Sequence, residues 1–348
     1  MPKSEPQFII PFAKPSGITS FTSLWQVKHT LGTKKVGHTG TLDSFADGLL
    51  VLLSGKLTKL VPYITDFDKT YRVLFYFGKE TDTLDPEGTV IGEKPLPVYA
   101  DVVSVIRQLT GTIEQVPPVY SAVKQAGERL SDRIRRGETV TVPPRTVTIY
   151  SIDIEEIFYA PEPDTNRENP EMSAVRKVLG AVLCVRCSKG TYIRSLVRDI
   201  AHRCGSAAYV YALRRTAVGP FTLEQAAGFS ALPPFGNAAA YAVNADSTDT
   251  PSDCADSAAV PHSVPDEAIK QAALPLSEAI ARAMHFQTAV LKEQYYAAFM
   301  NGKPISGHWF TSAQPLSDDG TTAVFYEGRC AGLITKNGSR FHYQIGNL

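Results

Sequence analysis

Gly37-His38-Thr39-Gly40-Thr41-Leu42-Asp43, followed by Gly48 and the apolar run Leu49–Leu53, is the densest signal in the chain and the stretch on which the fold turns. Two glycines in four positions permit backbone shapes and close approaches that other residues forbid. The run of five apolar residues is short for a helix and reads as a buried strand. A carboxylate presented by such a loop beside a buried strand can serve as a nucleophile or a base. The structural alternative is a loop whose Asp caps its own backbone.

Upstream, Pro15-Ser16-Gly17 makes a turn, Thr19 or Ser20 caps a helix, and Phe21, Leu24, Trp25 and Leu31 follow at helical spacing until Gly32. Downstream, Lys69–Phe77 alternates and predicts a strand, and residues 100–110 predict a helix that stops at Gly111. Arg145–Ile157 and Val182–Cys187 predict two more strands, with residues 159–172 as a surface insertion. After Ser188-Lys189-Gly190, Thr191 is expected to cap a helix with Ile193, Leu196, Val197, Ile200 and Ala201 on its apolar face and Gly205 at its end. Strands and helices in this order imply a mixed α+β domain over residues 1–225. Residues 226–269 hold six acids, no Lys or Arg and few large apolar residues, which predicts an acidic low-complexity linker or insertion. Residues 270–348 suffice for a small domain of their own. It should have helices near 277–285, capped by Ser277, and 291–300, strands flanking Glu327-Gly328 and a turn at Asn337-Gly338.

The 348 residues balance 35 basic against 35 acidic side chains, which at first argues against a nucleic-acid partner. Residues 226–269 carry a net −6 and residues 161–171 a net −3, however, so the rest of the chain carries +9 and is suited to a phosphate-rich partner. Five cysteines are too few and odd in number for a disulfide framework, which favours a reducing, cytoplasmic setting. No basic-then-apolar leader opens the chain, and no apolar run approaches the roughly 20 residues of a membrane helix.

Three further segments carry chemistry. Ser188–Arg194 places Tyr192 and Arg194 in the first turn of a helix, where an arginine near Asp43 would hold that carboxylate ionised and oriented. In Lys69-Thr70-Tyr71-Arg72, an aromatic flanked by cations suits a stacked base beside phosphates. Pro117–Lys124, with Arg129, Arg133, Arg135 and Arg136 beyond it, reads as a Pro-bounded segment leading to a basic helix that grips RNA near 117–145. Each also has a plain reading, as a helix start, a core strand and a solvated face. Cys184 and Cys187 lack the second pair of a zinc site, and Asp82 and Asp85 lie in a turn-rich stretch. No Walker loop, H-E-x-x-H or dinucleotide fingerprint occurs.

Taken together, Gly37–Asp43, Lys69–Arg72, Ser188–Arg194, Leu213 within Tyr211–Arg215, and Lys14-Pro15-x-Gly17-x-Thr19-Ser20 resemble the TruB family of tRNA pseudouridine synthases over roughly residues 8–225. The resemblance implies a pseudouridine synthase fold: a mainly antiparallel sheet flanked by helices, with a small C-terminal PUA-like domain. It implies isomerisation of uridine 55 in the tRNA T-loop, with Asp43 as the catalytic residue. Tyr71, Tyr192, Arg194, Leu213 and His38 would meet the substrate; separately, the basic segments themselves lead us to expect Lys69, Arg72, Lys124, Arg133, Arg136 and Lys189 at the RNA backbone. Ser44 stands where the family usually has Pro, and Asp47 where it has a small polar residue. Because isomerisation adds no atoms, no cofactor or metal is expected. The expected partner is the T-arm of tRNA, bound by a monomer with no obligate protein partner and no membrane. The competing readings are a tRNA-binding or folding protein without primary catalytic activity and a glycoside hydrolase pairing Asp43 with Asp82 or Asp85.

Overall fold

The computed structural model describes residues 5–120, 124–125, 128–129, 136, 142–161, 175–236, 264–312, 315–318 and 320–348. In chain order the strands are β1 (Ile9–Lys14), β2 (Val36–His38), β3 (Asp47–Ser54), β4 (Lys69–Phe77), β5 (Lys79–Thr81), β6 (Val90–Glu93), β7 (Gly111–Gln115), β8 (Lys124–Gln125), β9 (Glu128–Arg129), β10 (Arg145–Tyr159), β11 (Val178–Cys187), β12 (Ala208–Val218) and β13 (Phe221–Thr222). The C-terminal part adds β14 (Gln287–Leu291), β15 (Phe310–Thr311), β16 (Thr321–Tyr326), β17 (Arg329–Asn337) and β18 (Arg340–Gly346). The helices are α1 (Ser20–Leu31), α2 (Val61–Thr65), α3 (Tyr99–Gln108), α4 (Ile193–Arg203), α5 (Asp266–Gln271), α6 (Glu278–Ala283) and α7 (Tyr296–Met300).

The main sheet runs β1-β3-β12-β4-β11-β10-β7, antiparallel throughout except where β12 meets β3. This is the expected α+β class. Every residue of β3 is buried, because the strand is covered on both faces, and that is why its sequence is continuously apolar instead of alternating. Ile10, Phe12, Leu50 and Leu52 pack under α1. Ile9, Ala13, Leu49, Val51 and Leu53 share a core with Phe286, Ala323, Phe325, Leu333 and Ile345 of the C-terminal part. α3 and α4 cover Val73, Phe75, Leu183 and Val210 farther along the sheet.

Local signals hold at α1, where Thr19 caps the N-terminus and Gly32 closes the helix in the left-handed region at φ 62°. Three local expectations are corrected. Thr191 does not cap α4: its hydroxyl bonds the Ser188 carbonyl, and Tyr192 occupies the cap position. Residues 291–300 do not form one helix, because Gln287–Leu291 pairs in parallel with β16 and only Tyr296–Met300 is α-helical. The basic segment beyond Pro118 shows a short antiparallel pair, β8 with β9, instead of a helix at 124–129.

The acidic stretch packs at both of its described ends. Ala227 exchanges backbone bonds with Pro11 and Ala13, and Ile269 is wholly buried under α1. Residues 237–263 lie outside the described residues, as do 162–172 of the expected insertion, whose first residue, Tyr159, instead ends β10. The C-terminal strands form one five-stranded sheet, β15-β14-β16-β17-β18, consistent with the PUA-like module expected there. Among the described residues no helix is long and apolar enough to cross a membrane.

Candidate active site

A cleft of about 910 Å³ opens over β4 and β12, lined by the Gly40–Asp43 loop, Tyr71, Leu213, Arg215 and the Ser188–Arg194 turn. Three of the sequence-predicted segments therefore converge on one cavity.

The loop carrying Asp43 is pinned from several sides. Ser20, the first residue of α1, bonds both the N–H and the carbonyl of Leu42. The Ser44 carbonyl accepts from the Gly17 N–H at 2.8 Å and from Lys14 Nζ, and Ser16 Oγ donates to the Phe45 carbonyl. Lys14 is buried, and its ammonium also donates to Pro15 and Ile18. Burial lowers its pKa to about 8, against the pull of Asp47 and Asp43. The Lys14–Ser20 opening is thus a brace for the loop. The Ser44 hydroxyl bonds both oxygens of Glu87, a link that proline could not make.

Asp43 meets Arg194 through both oxygens, Oδ1 to Nη2 at 3.1 Å and Oδ2 to Nε at 3.0 Å. The guanidinium is 5% exposed and the carboxylate 37%, so the acid faces the cleft from a buried anchor. The remaining Arg194 donors reach the Tyr120 carbonyl, the Thr83 carbonyl and Asp85 Oδ2, so the planar fork is fully engaged. Asp85 is 4% exposed and also accepts from the Thr83 hydroxyl and the Glu87 N–H. Burial raises its pKa, opposed by the Thr83 hydrogen bond and the Arg194 charge. Leu84, between Thr83 and Asp85, has φ 62°, an uncommon conformation for a branched side chain, held here by the surrounding bonds. Sequence reading took Asp85 as part of a turn and missed its place behind Arg194. Nothing local marked it, since its partner Arg194 lies 109 residues away.

Tyr71 and Leu213 stand on adjacent strands with their side chains on the cleft face. Burial pushes the Tyr71 phenol up, against the nearby Arg215 charge. Tyr192 is fixed by Gln115, a fully buried side chain that bonds both its N–H and its carbonyl, and Arg145 lies over its ring at 5.8 Å. Gln115 carried no sequence signal. His38 is half-buried on β2, its Nδ1 has no hydrogen-bond partner among the described residues, and it is not among the cleft residues. Burial, then the Arg215 charge, lowers its pKa.

The residues expected at RNA phosphates are placed differently from one another. Lys189 stands at the cleft and pairs with Asp66 at 2.7 Å, both well exposed. Lys69 is 7% exposed, and its ammonium is used by the Thr65 and Phe67 carbonyls, so it faces inward. Arg72 lies on the opposite face of β4, because neighbours alternate along a strand; it pairs with Glu155 and stacks on Phe235. Arg136 is exposed, the backbone of Lys124 forms part of β8, and Arg133 lies outside the described residues.

Comparison with known proteins identifies the family. The TruB family pseudouridylate synthase N-terminal domain matches residues 28–193. A protein of Treponema pallidum (strain Nichols), named tRNA pseudouridine synthase B, is 42% identical over 363 residues, covering 98% of this chain and 97% of its own. A protein of the same name from Treponema denticola is 41% identical over 360 residues, covering 97% and 98%. In fold, the chain is similar to a chain in the crystal structure of a Cbf5-Nop10-Gar1 complex, with a TM-score of 0.57 and 21% identity over 98% of this chain and 84% of that one. Identity at this level over nearly the whole length, added to an acid–arginine cleft built from the expected segments, places the chain in the TruB family of pseudouridylate synthases.

Proposed function

We propose that the chain converts uridine 55 in the T-loop of tRNA to pseudouridine, with Asp43 as the catalytic carboxylate. The observation that carries this reading is the Asp43 carboxylate itself, open to the cleft on one side and held in two places by a buried arginine on the other.

The reaction breaks the N1–C1′ bond, turns the uracil and joins C5 to C1′; C5 then gives up its proton and N1 takes one up, so that no atoms are gained or lost. The target base must first leave its stack, which costs a few kcal/mol. Tyr71, on the cleft floor, offers the aromatic face that offsets part of this cost. Asp43, held at a fixed angle by Arg194, attacks the sugar or the base, or stabilises the cation that develops as the bond breaks. Leu213 supplies an apolar wall against which the freed uracil turns, and Tyr192 faces the same space to handle the C5 proton. His38 fills the gap that the extruded base leaves in the T-loop. Lys189 and Arg145, both at the cleft, meet the phosphates.

Incubating the purified chain with an unmodified tRNA transcript and mapping pseudouridine tests the reading. One pseudouridine, at position 55, is expected. Binding of tRNA without any isomerisation would support the folding-protein alternative.

A further inference from the structure

Arg215 is 2% exposed, and among the described residues it forms no ion pair, unlike Arg194 and Arg214. Its donors go to backbone carbonyls: Nε to Leu49 at 2.7 Å, Nη2 to Gly40 at 3.2 Å and Nη1 to Thr41 at 3.5 Å. These carbonyls lie at the two ends of the loop that carries Asp43. The Arg215 main chain holds the far end as well, since it registers with Gly48 across the parallel β3–β12 contact. A Cβ at Gly48, where φ is 109°, would fall 2.4 Å from the Arg215 carbonyl oxygen, so only glycine permits that approach. On its other side Arg215 stands opposite Tyr71 in the β12–β4 register, both side chains line the cleft, and the guanidinium charge bears on the phenol.

We propose that Arg215 is a positioning residue that holds the Asp43 loop and the Tyr71 phenol in one fixed register beneath the target base. The proposal rests on the reading of Asp43 as the catalytic carboxylate. A lysine in its place keeps the charge beside Tyr71, but a single ammonium cannot span the Gly40, Thr41 and Leu49 carbonyls. The buried charge also bears on its neighbours: burial first, and then the Arg215 charge, lowers the pKa of Lys69 and His38, and the same charge opposes the rise that burial imposes on Tyr71. The other groups facing Tyr71 are Cys187 on β11 and Asp43, and both raise its pKa.

The test is Arg215→Lys in the wild-type and Tyr71→Phe backgrounds. In the wild-type background the single-turnover rate should fall about 100-fold, the cost of displacing a reacting group by about 1 Å. The affinity for tRNA and its salt slope should stay as they were. In the Tyr71→Phe background the same substitution should cost at least about threefold less, because part of its target is already gone. Equal losses in both backgrounds, or weaker binding with a shallower salt slope, would overturn the proposal. A second readout needs no activity. The absorbance titration of Tyr71, isolated by difference from Tyr71→Phe, should move to higher pH in Arg215→Gln and stay near wild type in Arg215→Lys. An unmoved phenol in Arg215→Gln would overturn it too. If Arg215→Gln does not fold, the Arg215→Lys pair decides. A wild-type chain that makes no pseudouridine would refute the proposed function, while the phenol titration would still report on Arg215.

Discussion

Asp43 and Asp47 lie four residues apart at the start of the same loop and strand, and each is gripped in two places by an arginine. Arg194 holds Asp43 at 3.0 and 3.1 Å, and Arg214 holds Asp47 at 2.6 and 2.7 Å. The two pairs differ in what surrounds them. Arg214 also donates to the Pro233 carbonyl and is covered by the Phe235 ring at 5.3 Å, leaving the Asp47 carboxylate 11% exposed. The Asp43 carboxylate is 37% exposed and looks into a cleft lined by Tyr71, Tyr192 and Leu213. Pair geometry is therefore shared by the two acids, and what separates Asp43, the proposed catalytic carboxylate, is access for a substrate together with a buried anchor. A buried pair of the Asp47 kind ties β12 to β3 and strongly penalises the loss of either partner.

The largest expected effect tests this contrast directly. Asp43→Asn should lower the single-turnover rate by about 10⁴-fold or more, with tRNA affinity within a fewfold of wild type, because the amide keeps the shape and loses the charge. Asp47→Asn should do the reverse: about 3 kcal/mol lost in denaturant unfolding and a rate per folded molecule within about tenfold of wild type. A comparable rate loss in both variants would erase the distinction.

Asp85→Asn comes next. It leaves Arg194 without its buried acid, so the fork can swing and carry Asp43 with it. The rate should fall about 100-fold. Stopped-flow measurement with saturating tRNA separates this from weakened binding, and an unchanged rate would show that Arg194 is held well enough by the Thr83 and Tyr120 carbonyls.

A pH experiment sharpens the picture of the loop's brace. Lys14 titrates at about 8 in the folded chain against 10.5 as its ordinary value. Between those values the unfolded chain binds the proton more tightly, so folding stability rises with pH through this window. Wild type should therefore gain on Lys14→Met as pH climbs from about 8 to about 10.5, by up to roughly 3 kcal/mol. Urea unfolding of both proteins at the two ends of the window measures it. A constant difference would mean that Lys14 is not desolvated as the structure shows.

The smallest effects compare the two faces of the sheet. Lys189→Ala, at the cleft, should reduce the salt slope of tRNA binding by about one unit and leave stability within about 1 kcal/mol, since its partner Asp66 is exposed. Arg72→Ala, on the reverse face, should leave the salt slope unchanged. A lowered slope in Arg72→Ala would place RNA on both faces.

How much of this was legible in the sequence varies with the range of the interaction. The Thr19 cap, the Gly32 stop and the strand at Lys69–Phe77 are decided by neighbours within a few residues, and periodicity reveals them. Alternation along β4 also implied that Tyr71 and Arg72 point to opposite faces, although reading the motif as a unit obscured it. The ends of the acidic stretch were not legible, because Ala227 and Ile269 are buried by partners more than 200 residues away.

What the amino-acid order determined by itself was the inventory: a glycine-bearing loop with an acid, a buried strand behind it, and an aromatic and an arginine on elements that follow. Spacing and hydrophobic period suffice for that, since they act through local backbone preference and which face is apolar. Only the tertiary structure decided which acid is open and which is closed. Asp85 lies 109 residues from Arg194, and Asp47 lies 167 from Arg214. Nothing local distinguishes these carboxylates. Their fates follow from the sheet order, which sets β12 between β3 and β4, puts Arg215 and Leu213 toward the cleft, and turns Arg214 toward Phe235 on the reverse side.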